Sequence, residues 1–141
     1  MSYYENAIKE ILTEEKYEKL KDKILYVGKT HGYGYDIKAY DLDDLSKGIE
    51  TEIHIEVKAT TSKKGTEPFF MSKNELLQAI KDKEIYRIVR VYDFNSDFPK
   101  FEELNLFKSL QDVDENTPVE ETVSSFLNIE PTSYVVKGWK R

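Results

Sequence analysis

A chain of 141 residues, 39% hydrophobic and 34% charged, suits one domain with a real core and a wet surface, and is short for two. Its net charge of −6 argues against a protein that coats nucleic acid non-specifically, and the absence of cysteine excludes disulfides and thiolate metal sites. No apolar run approaches the roughly 18 residues of a membrane span and the N-terminus lacks a signal-peptide core, so a cytoplasmic protein with no membrane partner is expected.

Ser2 to Lys23 reads as helix, in one bent piece or two. Tyr4, Ala7, Ile8, Ile11 and Leu12 share one apolar face, and Thr13 ahead of Glu14 can cap a second piece with Tyr17, Leu20 and Ile24 facing inward. Ile24 to Val27 is a short apolar run, and Thr30 to Gly34 is a loop by its glycines. Tyr35 to Asp41 alternates as a strand. Leu42 to Gly48 is a polar connection ending in a turn, and Ile49 to Ala59 alternates again, which makes the two strands an antiparallel hairpin. In the second strand Ile53, Ile55 and Val57 share one face, while Glu52, His54, Glu56 and Lys58 share the other.

Thr60 to Pro68 is a polar loop, Phe69 to Met71 a short strand, and Ser72-Lys73-Asn74-Glu75 a capping box that opens a helix running to about Lys83. Ile85 to Tyr92 is apolar on both faces, as a central strand is. Strand, helix and strand from Phe69 to Tyr92 predict a right-handed parallel crossover. Beyond Asp93, the residues Phe94, Phe98, Phe101, Leu104, Leu106, Phe107 and Leu110 are expected to pack loops onto the core. Gln111 to Thr122 reads as an exposed acidic loop, Val123 to Ile129 as a short helix, and Tyr134 to Val136 as an edge strand. The order predicts an α/β fold with a mixed central sheet flanked by helices. It is one domain over residues 1–141, with its core at about 1–92 and a C-terminal extension over 93–141 packed on that core.

Charge is uneven along the chain. Lys58 to Arg90 holds eight basic and four acidic residues, and Val91 to Glu130 two basic and ten acidic. A basic middle can bind phosphates locally; ordinary solvated surface explains it equally well. Lys63 and Lys64, in the loop after the Glu56 strand, are the best phosphate contacts. The acidic stretch 97–121 would suit a basic protein partner or mimic the charge of DNA.

Phosphodiester hydrolysis needs an activated water and a neutralised transition state. Mg²⁺ or Mn²⁺ supplies both and prefers oxygen ligands. Asp36 and Glu56, on neighbouring strands, can share one metal, with the Val57 backbone carbonyl as a third ligand and Lys58 aimed at the same phosphate. On spacing alone, Glu56 and Lys58 equally fit the solvated open face of an amphipathic strand. His54 and His31 read first as surface and loop polar residues.

Gly34-Tyr35-Asp36-Ile37, Ile55-Glu56-Val57-Lys58-Ala59-Thr60, Phe70-Met71-Ser72-Lys73-Asn74-Glu75 and the strand Tyr86 to Val91 together resemble the DUF3883 family, which is similar to the PD-(D/E)xK restriction-endonuclease-like superfamily. The resemblance implies an α-β-β-β-α-β core and a cytoplasmic setting beside restriction or phage-defence modules. It implies a nuclease acting on DNA, with Asp36 and Glu56 as metal ligands, Lys58 as the catalytic lysine and Glu75 as a supporting polar residue. An acid on the first helix often completes such sites, and Glu5, Glu10 and Glu14 are the candidates. The alternative is an inactive domain of the same fold that binds nucleic acid or protein. Cutting both strands together would take two active sites, as in a homodimer.

Overall fold

A computed structural model describes residues 6–7, 9–10, 12–27, 32–108, 110, 116–118, 127–130 and 135–139. In chain order the strands among them are β1 (Leu25–Tyr26), β2 (Ile37–Tyr40), β3 (Glu52–Ala59), β4 (Phe69–Phe70), β5 (Tyr86–Tyr92), β6 (Lys100–Leu104), β7 (Leu127–Glu130) and β8 (Val135–Trp139). The α-helices are α1 (Glu14–Leu20), α2 (Leu42–Ser46) and α3 (Lys73–Asp82), with helical residues also at 6–7 and 9–10. Thr13 starts α1 as a cap, its side chain accepting from Lys16 N–H, so the N-terminal helical stretch is broken there. None of the described helices is long and apolar enough to cross a membrane.

Five strands form one mixed sheet in the order β1-β2-β3-β5-β6. The hairpin β2–β3 is antiparallel, as its alternation predicts, with Ile37 opposite Ile55. β3 and β5 run parallel, with Glu56 opposite Ile88 and Lys58 opposite Arg90. Helix α3 is the crossover between them. Here the expectation needs correcting, because the parallel partner of β5 is β3 and not Phe69–Met71. Eight residues of β3 satisfy far more of β5's backbone than a two-residue strand can. β4 instead pairs with β8 in a second sheet of order β4-β8-β7.

Four further readings change. β8 is the central strand of that second sheet, where an edge was expected. Leu127–Glu130 is a strand where a helix was expected; residues 123–126 of that helix lie outside the described residues, as does most of the acidic loop at 111–122. The polar connection after β2 contains α2, capped by Asp41, whose carboxylate accepts from Asp44 N–H at 2.9 Å while Leu45 is buried beneath. Phe101 to Leu104 belongs to β6, an edge strand of the main sheet, where loops were expected.

Two apolar clusters lie on opposite faces of the main sheet. One joins Leu20 of α1 and Leu45 of α2 to Ile37, Ile53, Ile55, Val89 and Val91. The other joins Leu76, Ala79 and Ile80 of α3 to Tyr86, Ile88 and Leu104, and takes in Phe69 of β4 and Val136 of β8. Ile88 and Val89 are neighbours in sequence and go to different clusters, as the period of two in a strand requires. The result is an α/β domain with helices on both faces of a mixed sheet.

Candidate active site

The alternation of β3 decides which side chains meet. Ile53 and Ile55 point to the α1 side, so His54, Glu56 and Lys58 point to the side covered by α3. That face is therefore not the open, solvated face that spacing alone allowed. Glu56 is 5% exposed and, with Arg90, one of the two charged residues buried among the described residues.

Asp36 arrives just ahead of β2. Its N–H donates to Ile55 O at 2.8 Å, and its own carbonyl accepts from Val27 N–H at 2.8 Å. Its Oδ2 accepts from Val57 N–H, also at 2.8 Å, so the carboxylate takes the place of a ladder partner beside β3. A residue's N–H and C=O leave a strand on the same edge, so the Val57 carbonyl is directed to the edge that Asp36 occupies. The Lys58 carbonyl lies on the opposite edge, where Arg90 Nη1 donates to it at 3.0 Å.

Lys58 stands between two carboxylates. Its Nζ is 3.3 Å from Glu56 Oε1 and 2.9 Å from Glu75 Oε1. The same Glu75 oxygen accepts from Ser72 N–H at 3.0 Å and so closes the capping box of α3. Glu75 thus ties the N-terminus of α3 to β3. Burial pushes the Glu56 carboxyl up; Lys58 offsets part of that, and Glu75 and Asp36 push it further, to about 8.

Tyr86, at the start of β5, is a member of this site that the sequence did not single out. Its hydroxyl donates to Gly34 O at 2.8 Å, which anchors the loop that delivers Asp36. Burial, then the charges of Glu56, Glu75 and Asp36, raise its pKa and keep the phenol protonated. The available signal was its register: in the parallel ladder Tyr86 lies opposite His54, on the same face as Glu56.

His54 is not a free surface residue. Nδ1 lies 2.7 Å from Asp82 Oδ2, Nε2 lies 2.9 Å from Glu52 Oε2, and the ring stacks on Tyr35 at 4.0 Å. Burial lowers its pKa, and the hydrogen bonds and charges of Asp82 and Glu52 outweigh that, for a net rise above 6.5.

Lys63 and Lys64 are exposed in the loop that follows β3. Glu10 and Glu14 are exposed, and α1 packs on the face of the sheet opposite Glu56. His31 and Glu5 lie outside the described residues. Among the described residues, no group of three or more His, Asp or Glu side chains is arranged to hold a metal ion. The site thus brings Asp36, Glu56, Val57 and Lys58 to one place and adds Glu75 from α3. Chemically this is a set of hard oxygen donors in which two carboxylates, Glu56 and Glu75, share one ammonium group.

Comparison with curated proteins and with solved structures gave no match. The family model described as Protein NO VEIN, C-terminal, matches residues 4–104, a span that holds every site residue above; DUF3883 names a related NO VEIN-like C-terminal region. With that span covering most of its 141 residues, the chain belongs to the NO VEIN C-terminal family.

Proposed function

We propose that the chain is a metal-dependent nuclease-like domain that hydrolyses DNA phosphodiester bonds, serving restriction or phage defence from the cytoplasm. The reading takes the sheet and helices to be a restriction-endonuclease-like core. The observation that carries it is the 2.8 Å hydrogen bond from Val57 N–H to Asp36. That bond sets one acid beside a Glu-Val-Lys strand element, which is the placement the chemistry asks for.

Asp36, Glu56 and the Val57 carbonyl would hold Mg²⁺ or Mn²⁺. The donors fit such an ion: all are oxygens, Glu56 and Glu75 share a single Lys58, and the charge of Asp36 acts on Glu56. The unfavourable charge on Glu56 is what a cation there would relieve. When bound, the ion lowers the pKa of a water and neutralises charge on the phosphoryl group. Lys58 offers its ammonium to a phosphoryl oxygen, and Glu75 holds that ammonium in place. Lys63 and Lys64 contact flanking phosphates.

A second reading keeps the fold without the chemistry, as a module that binds nucleic acid or protein. It is favoured by the Glu56–Lys58–Glu75 network, in which the lysine is already engaged by two carboxylates. The deciding test is cleavage of plasmid and single-stranded DNA with Mg²⁺ or Mn²⁺, comparing wild type with Glu56→Ala and Lys58→Ala. The nuclease reading expects wild type to cut and each variant to lose roughly 10²-fold or more in rate at a retained fold by circular dichroism. Wild type that is inert on every substrate and binds no divalent ion by calorimetry overturns it in favour of the second.

A further inference from the structure

Arg90 sits in the middle of β5 and is 1% exposed. A buried guanidinium ordinarily meets a carboxylate. This one donates to three backbone carbonyls instead: Lys58 O at 3.0 Å, Glu67 O at 3.0 Å and, more weakly, Gly65 O at 3.4 Å. Its head also lies 5.4 Å from the centre of the Phe69 ring. Burial lowers its pKa, and the nearby charge of Glu67 offsets part of that. A methionine could fill such a space without the cost of desolvating a charge. What the guanidinium adds is geometry, because one rigid group fixes the end of β3 and the far side of the loop after it.

The loop is fastened elsewhere as well. Thr60 N–H donates to Val91 O at 2.8 Å, Asp93 N–H to Ser62 O at 2.7 Å, and Phe94 N–H to Thr60 O at 3.2 Å. Ser62 Oγ accepts from Lys64 N–H at 3.1 Å and reaches Glu67 Oε1 at 3.3 Å. Gly65 packs close against Tyr92, where an added Cβ would be 3.0 Å from the ring. A connection tied this often at its base still leaves Lys63 and Lys64 exposed at its tip. Ordering costs are then met on folding and not on binding, which is how a preformed phosphate site works.

We propose that residues 60–68 form a preformed phosphate-binding loop for the nucleic-acid backbone, and that Arg90 is the positioning residue that holds Lys63 and Lys64 in register with Lys58. This rests on the nuclease reading for the identity of the polymer, and its test does not depend on cleavage. The probe is a labelled 20-nucleotide DNA, single-stranded or duplex, titrated in EDTA across a range of salt and followed by fluorescence anisotropy. Replacing Lys63 and Lys64 together by Ala should flatten the plot of log affinity against log salt by roughly 1.4 to 1.8, two phosphate contacts' worth.

Arg90→Lys, which cannot span three carbonyls, should flatten the slope in the same direction and weaken binding about tenfold or more. Mn²⁺ binding by calorimetry should stay within about twofold, and in a cleaving protein KM should rise while kcat at saturation holds. Ser62→Ala, which loosens the loop without entering the core, should give a smaller effect of the same sign. An unchanged salt slope in Arg90→Lys, with only the melting temperature lowered, makes Arg90 a purely structural residue and overturns the proposal. So does an unchanged slope in the double lysine variant, or wild type that binds no DNA. A wild type that binds with the predicted slope changes but never cuts keeps the loop and removes the nuclease reading alone.

Discussion

Asp41 shows how much one carboxylate at an element boundary can carry. Its Oδ1 caps α2 through Asp44 N–H, and its Oδ2 accepts from Arg87 Nη1 at 2.8 Å. Arg87 reaches on to Glu103 of β6 at 2.9 Å, so the cap of a short helix is linked to the far edge of the sheet. Burial by itself raises the pKa of Asp41. The hydrogen bond from Asp44, then that from Arg87 and its charge, outweigh burial and leave it below its ordinary 3.8. A depressed folded pKa means that this stabilisation is complete above about 3.8 and is lost as pH falls through the folded value. Asp41→Ala should therefore cost about 1 kcal/mol at pH 7 from the cap alone, and the gap to wild type should narrow steadily below pH ~3.8. Urea titrations of both proteins at pH 7, 5 and 3 measure this; a gap of the same size at pH 3 would mean that the carboxylate's charge contributes nothing.

At the scale of elements, the Asp36 loop approaches α3 closely enough that Gly34 leaves no room for a Cβ. Gly34 has φ +73°, and a Cβ there would lie 2.8 Å from Gln78 Cβ and 2.9 Å from Asn74 O. Gly48 has φ +80° with open space around it. Both glycines meet the left-handed backbone requirement, so Gly48→Ala should cost about 1–2 kcal/mol. Gly34→Ala should cost that and a further ~1–3 kcal/mol for forcing α3 away. Chemical denaturation of the pair separates strain from packing, and equal losses would show that α3 does not press on the loop. The sequence carried part of this arrangement openly. Strict alternation marks β3 and pairs it with β2, and the capping box marks the start of α3. What it did not carry is which face of β3 is covered. Glu56 and Lys58 have the polarity of a solvated face, and the helix that covers them, reached by Lys58 at Glu75 and by His54 at Asp82, makes that face an interior one. β6 was hidden for a related reason. As an edge strand it is exposed along most of its length and lacks the apolar alternation that pattern reading needs. The partner of β5 was misjudged because Phe69-Phe70 is apolar and near in sequence, while pairing is decided by how much ladder a partner offers.

The described residues form two apolar clusters with the main sheet between them, which makes a claim about cooperativity. Within β5, Ile88 and Val89 are bonded through the backbone and feed opposite clusters, and Tyr86 and Val91 extend the two sets along the strand. Loosening either side should therefore be felt by the same transition. Leu45 of α2, 3% exposed, and Val136 of β8, fully buried, lie in different clusters and test the two faces separately. Leu45→Ala should cost about 3 kcal/mol and Val136→Ala about 2 kcal/mol, with the double variant near the sum because the two residues belong to different clusters. Urea unfolding followed by far-ultraviolet circular dichroism and by tyrosine fluorescence should give coincident single transitions for all three variants. Separate midpoints for the two probes in Val136→Ala would mean that the second sheet opens as its own unit. That outcome would matter for the site as well. β4 leads through Met71 and Ser72 straight into the capping box, so a second sheet that opens alone would release the end of α3 that carries Glu75. With a single transition, Glu75 stays beside Lys58 for as long as the protein is folded.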